Sequence, residues 1–468
     1  MMTNHNPPEV PNRSYLGTPA TAPGPSGPQM LTHFLRIRDN PLRYLADMQA
    51  EYGNVVQFPI PRPPTYLIAD AQAARQVLMA SPRDYSKQTI QYSALSLVTG
   101  NGLLTSDGDT WRRQRRLVQP AFSARAIDRL ADHVVRAMQR VDDRWLALPD
   151  RGAVIDMDEL MMGATMEIVG ASLFGADLTA DADQLAQATL RALEVVVARA
   201  RVPITPPAWI PTPANRRLQH AVGELDDLVE SIIAARRSRL VDDTDLDMLD
   251  LLLAGDESGD ALSVTEVRDQ IVTFIVAGHE TVASALAWAL WCISGDDHVQ
   301  SRMHDEVDSV VGAGELSMAT LADLPYTRAV FEEAMRLFPP AWLVTRKALK
   351  DDTLARTHVP AGSLIILSPY LIHRDPQVWS NPHSFTPERF LGIDTRGAAT
   401  ATSYWPFGAG PRLCIGRDFS YAEGVLILAG LVRRARFDRE PGQAPPVPLP
   451  QVTIRPAGGV RLRVSRRG

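Results

Sequence analysis

The segment from Ser263 to Ser294 constrains the fold more than any other part of the chain. Ser263 and Glu266 form an S-x-x-E capping box, in which each side chain satisfies an orphan backbone N–H at a helix start. Neither proline nor a strong stop signal follows before Gly295. The spacing predicts one helix of ~31 residues, ~46 Å long at about 1.5 Å per residue, enough to cross a protein of this size. Ile271, Phe274, Ile275 and Val276 give it apolar surface, so it must run through the core. The apolar pattern then breaks at Ala277-Gly278-His279-Glu280-Thr281, which places a glycine, a carboxylate and a β-branched alcohol in mid-helix. A threonine there can hydrogen-bond the carbonyl of Ala277, one turn back, and distort the ladder.

Helical spacing recurs over Ala126 to Leu146, Leu185 to Ala200 and Leu218 to Leu240. Only short runs such as Tyr66 to Ala69 and Ser363 to Ser368 read as strands, so the expected fold is mainly α with a minor β region. With 45% hydrophobic and 22% charged residues, the 468-residue chain has enough apolar material for a large core. Seven prolines among the first 28 residues predict a flexible arm over residues 1–30, ahead of a single domain over 31–468. Pro203 to Pro213 reads as a stiff surface loop and Asp242 to Asp247 as a solvated acidic turn.

A formal charge of −6 offers no general attraction to nucleic acid or anionic membrane. No stretch reaches ~18 uninterrupted apolar residues, and no secretory pattern opens the chain, so a cytoplasmic protein without a membrane anchor is expected. Two cysteines, Cys292 and Cys414, exclude a disulfide framework and a four-thiolate metal site. Cys292 lies on the long helix and reads as packing.

Cys414 stands in Phe407-Gly408-Ala409-Gly410-Pro411-Arg412-Leu413-Cys414-Ile415-Gly416, a glycine-punctuated loop just before a helical stretch starting near Arg417. The chain's own residue frequencies give a chance expectation of roughly 2 × 10⁻⁵ for F-x-x-G-x-[R/K]-x-C-x-G. This segment resembles the haem-binding loop of the cytochrome P450 family. The resemblance implies haem b with the Cys414 thiolate as axial iron ligand, and Phe407, Arg412 and Gly416 as cofactor-binding residues. A thiolate suits the chemistry because it pushes electron density onto iron and favours O–O cleavage. A helix start would stabilise it through its dipole and N–H groups.

Other segments are similar to the family's motifs in the family's order, from about Pro41 to Val464. Trp111 and Arg115 match W-x-x-x-R and share a helical face, which implies contact with haem propionates; Arg346 and Arg412 are implied in the same role. Glu333 and Arg336 match E-x-x-R, and Arg389 its third partner, which implies a buried structural network. His373 reads as a core histidine. Ala277 to Thr281 match A-G-x-E-T, over the oxygen-binding face of the haem. The resemblance implies that Thr281 holds dioxygen and a water while Glu280 relays protons. Val282 departs from the second threonine many relatives carry, which leaves Thr281 alone there.

The implied fold is that of a P450, with the long central helix over the haem. The implied activity is insertion of one atom of O2 into a hydrophobic small molecule, a terpenoid, steroid, fatty acid or polyketide-like compound. Electrons would come from an external ferredoxin or flavodoxin with its reductase, docking on a basic patch of Arg112, Arg113, Arg116 and Arg417. A monomer is expected. Two rivals are a peroxide-driven peroxygenase, which the pair Glu280 and Thr281 disfavours, and a haem-binding sensor.

Overall fold

The structure is a computed structural model that describes residues 14–15, 18–59, 64–146, 152–175, 182–200, 209–237, 247–254, 262–312, 314–395 and 403–467. The chain gathers into two compact units, each built from several stretches. The smaller comprises Met1–Tyr92, Trp342–Pro382 and Thr395–Leu413; the larger comprises Ser93–Ala341, His383–Asp394 and Cys414–Gly468. The reason is strand pairing over long sequence distances, which no local pattern announces.

In the smaller unit a five-stranded sheet has the spatial order Val55–Phe58, Thr65–Ile68, Leu364–Leu367, Val344–Ala348, Tyr85–Ser86. The two strands legible in the sequence are its centre: Tyr66 pairs with Ile365 and Leu67 with Ile366, in parallel. Both strands read as near-continuous apolar runs, as buried parallel strands do.

The flexible arm expected over residues 1–30 is corrected for residues 20–30, which are packed. Ala22 is fully buried. The Gln57 side chain accepts from the N–H groups of Thr21 (2.8 Å) and Ala22 (3.2 Å), and Gln57 N–H donates to the Pro23 carbonyl at 2.9 Å. Ser26 and Gln29 cap a helix, Gly27–Asp39, that begins inside the expected arm. Proline marks extension there rather than mobility, because extended chain can be stitched to an edge strand.

The larger unit is helical. Helices Ala124–Leu146, Ala182–Ala200 and Pro213–Arg237 lie within a few residues of their expected ranges. The long helix is Val264–Ile293, with Ser263 as N-cap and the Ser263–Glu266 capping box formed. It packs most extensively on helix Met157–Phe174. A Cβ on Gly278 would approach Val169 to 3.1 Å, so the glycine lets these two helices close. By length and composition this helix alone among the described residues could cross a membrane, but 83% of its apolar window is buried inside the protein.

The proline-rich loop falls mostly on residues 201–208, outside the described residues, as do residues 242–246 of the acidic run. Asp247 corrects the solvated-turn reading. It and Asp250 each accept from Arg236 Nη1 at 2.7 Å, and Arg236 also reaches the Phe174 carbonyl. A nearly buried guanidinium draws both carboxylates inward.

Candidate functional site

From Asp269 to Ile293 every residue of the long helix is buried except Ala277, Gly278 and Thr281. Their spacing puts Ala277 and Thr281 one turn apart on one face, so the helix carries a single accessible window in mid-length. Thr281 Oγ1 donates to the Ala277 carbonyl at 2.7 Å, which bends its hydroxyl back into the ladder. His279 faces the other way. Its Nδ1 bonds the Ile275 carbonyl at 2.6 Å, and burial lowers its pKa to about 4, so the ring is neutral.

Glu280 is almost fully buried. Burial raises its carboxyl pKa above the usual range; the Thr453 hydroxyl, which donates to Oε1 at 2.8 Å, and Arg455 oppose the rise, while Asp158 adds to it. Oε2 has no hydrogen-bond partner in the protein. Thr453 escaped the sequence reading because it lies 173 residues away, on no recognisable motif.

Cys414 stands just before helix Arg417–Arg434, whose N-cap is Gly416. Its thiol is accessible, and yet surrounding protein desolvates it and raises its pKa. The Gly416 backbone N–H, Arg115 and Arg417 pull the other way, Asp418 with the burial. Phe122 ties this loop to the long helix: its ring lies 5.6 Å from that of Phe274 and 6.3 Å from that of Phe419, and a Cβ on Gly416 would meet it at 3.6 Å. Phe274 is buried against this aromatic.

Trp111 and Arg115 are half-buried on helix Gly108–Val118. Burial lowers the Arg115 pKa and the charge of Cys414 opposes that, which places guanidinium and thiol in one electrostatic environment. The basic patch is weaker than expected. Arg112 pairs with Asp109, Arg113 with Glu266 at 2.9 Å and Arg417 with Asp418 at 3.0 Å. Arg116 is exposed at a shallow depression lined also by Gln119, Pro120, Phe122 and Ser123.

In the same unit Arg336 donates to both oxygens of Glu333, at 2.7 and 2.8 Å, with both side chains fully buried. Arg389 Nε and the Thr386 N–H converge on the same carboxylate at 3.3 and 2.9 Å.

Within the smaller unit Arg346 is buried on strand Val344–Ala348, its Nη1 on the Thr345 carbonyl. Phe407 and Arg412 are half-buried, Arg412 in the short helix Gly410–Arg412. Gly410 has a φ of +69°, and a Cβ there would fall 2.0 Å from the Leu78 carbonyl oxygen. That glycine therefore serves a backbone crossing. His373 is a buried core histidine whose Nε2 accepts from the Trp405 N–H at 3.0 Å.

The donor set fits a metal that brings its own ring of ligands. Among the described residues no group of three or more His, Cys, Asp or Glu side chains is placed to hold an ion, whereas one thiol is accessible beside a cation. Such a single donor suits the axial position of a haem.

Comparison with known proteins agrees. A family model described as Cytochrome P450 matches residues 22–462. The chain is 36% identical to cyclooctatin synthase of Streptomyces melanosporofaciens, over 94% of both chains. It is 33% identical to cyclooctat-9-en-7-ol 5-monooxygenase of the same organism, over 91% of both, and 31% identical to pentalenene oxygenase of Streptomyces avermitilis, over 96% of this chain and 97% of the relative. The crystal structure of CYP175A1 from Thermus thermophilus superposes with a TM-score of 0.77 at 29% identity, covering 95% of this chain and all of that one.

Proposed function

The chain belongs to the cytochrome P450 family, and on that premise we propose that it is a haem-thiolate monooxygenase that oxygenates a terpenoid with electrons from a separate ferredoxin or flavodoxin system. The observation that carries the reading is Cys414, an accessible thiol just before helix Arg417–Arg434, with the Gly416 backbone N–H bonded to it and Arg115 in the same electrostatic environment. Haem held by that thiolate supplies the redox chemistry that cleaves dioxygen. Trp111 and Arg115, half-buried on one helix of the larger unit, would bind its propionates, because buried carboxylates need fixed cations. Ala277, small and on the accessible face with Thr281, would leave room for the ring. Thr281, with its own proton committed to the Ala277 carbonyl, offers lone pairs to a proton-bearing water. Glu280 would relay a proton to that water, desolvation biasing its buried carboxyl toward the protonated form.

The terpenoid assignment is supported by the relatives named for cyclooctatin and pentalenene, both matched over nearly their full length. We read the protein as soluble, since the one helix among the described residues long and apolar enough to span a membrane is buried as core. The test is turnover. With ferredoxin, its reductase, NADPH and a panel of cyclic terpenes, at least one product should gain a single oxygen atom, labelled from ¹⁸O2. Oxygenation driven by hydrogen peroxide, with none under reductant, would contradict the proposal and favour the peroxygenase.

A further inference from the structure

Glu280, Ser284 and Trp288 stand one turn apart along the long helix, and all three grip the segment Thr453-Ile454-Arg455. Thr453 Oγ1 donates to Glu280, while Ser284 Oγ and Trp288 Nε1 both donate to the Ile454 carbonyl, at 2.6 and 2.9 Å. The Ile454 N–H is held by the Pro340 carbonyl. Thr453 is thereby fixed from two sides against the carboxyl it bonds. Two residues on, Arg455 pairs at 2.5 Å with Asp158, at the start of helix Met157–Phe174.

Exposure rises outward along this set: Glu280 is 2% exposed, and the side chains of Asp158 and Arg455 are 10% and 17% exposed. Two buried oxygens, Glu280 Oε2 and Asp158 Oδ1, lack hydrogen-bond partners in the protein. Buried polar atoms of this kind are where ordered water sits, and water there would join the two carboxyls. Arg455 from the Ile454–Pro456 strand and Asp158 from helix Met157–Phe174 are the charged groups that act on Glu280, with opposite signs.

We propose that Thr453 is a positioning residue for the Glu280 carboxyl, and that the Asp158–Arg455 pair is the outer station through which Glu280 regains its proton from solvent. The proposal rests on the monooxygenase reading for the use made of that proton. Thr453 occupies Oε1, which leaves Oε2 to carry the proton. When Glu280 gives it up inward it becomes a carboxylate, and a proton from water at Asp158 restores the acid; no electron moves and no bond other than O–H changes.

Infrared spectra of the full-length haem-loaded protein test this without turnover, with Glu280→Gln identifying the band. At neutral pH a protonated-carboxyl C=O band is expected. Thr453→Val should shift it to higher frequency by removing one hydrogen bond, and Thr453→Ser should restore it; should the valine variant not fold by circular dichroism, Thr453→Ala carries the same comparison. On transfer to D2O, the isotope shift of the band should develop several-fold more slowly in Asp158→Asn than in the wild type. Absence of the band, a band indifferent to loss of the Thr453 hydroxyl, or unchanged exchange in Asp158→Asn overturns the proposal. Failure to oxygenate any substrate while the infrared results hold would instead sink the functional reading, because these groups belong to the polypeptide alone.

Discussion

Replacing Glu333 by glutamine probes the buried charge network with the volume nearly unchanged. The Glu333 carboxylate is shared by Arg336, whose side chain is fully buried, by Arg389 and by the Thr386 N–H. Glutamine has one acceptor oxygen and no charge, so two guanidinium groups lose their common counter-ion in a place water does not reach. Breaking a buried pair from one side costs about 3–5 kcal/mol, because the remaining charge stays desolvated. Arg36 and Asp47 form a control: their 2.8 Å pair is 45% and 42% exposed, so Asp47→Asn should cost only about 0–1 kcal/mol. Urea unfolding followed by tryptophan fluorescence reads both. Glu333, Arg336, Thr386 and Arg389 all belong to the larger unit, so if the units melt separately only that unit's transition should move. A loss below about 1 kcal/mol for Glu333→Gln, or one no larger than the Asp47→Asn control, would refute the reasoning.

Two further outcomes follow from the same physics. Glu423 is fully buried with neither oxygen bonded, and burial raises its pKa well above 4.5. The folded state therefore keeps a proton that the unfolded chain releases above pH 4.5, so this group costs stability progressively as pH rises. Glu423→Gln should stabilise the protein at pH 7 by as much as about 3 kcal/mol, with the gain vanishing toward pH 4.5; a gain that ignores pH, or no gain in denaturant melts, contradicts this. At Gly102 a Cβ would fall 2.1 Å from Thr273 Oγ1 and 2.6 Å from the Asp269 carbonyl oxygen, so Gly102→Ala should cost about 1–3 kcal/mol, and an unchanged Tm would contradict the packing.

Much of this was legible locally. The long helix could be bounded to within a residue because Ser263 and Glu266 cap it and nothing breaks it before Gly295. The Thr281 bond to Ala277 and the Glu333–Arg336 pair follow from helical spacing alone. The rest depends on contacts between distant parts of the chain. Nothing near Glu280 announces Thr453, and nothing near Tyr66 announces its pairing with Ile365. Local rules also misassigned a cause: the prolines near residue 23 mark a strap that Gln57 holds rather than a flexible arm.

The central claim is that sulfur from Cys414 binds haem iron, and the absorption spectrum of the dithionite-reduced protein under carbon monoxide tests it most directly. A strongly red-shifted Soret band is expected in the wild type and should be lost in Cys414→Ala. A wild-type spectrum at the position given by a nitrogen-ligated haem, or purified protein that takes up no haem at all, would contradict the account.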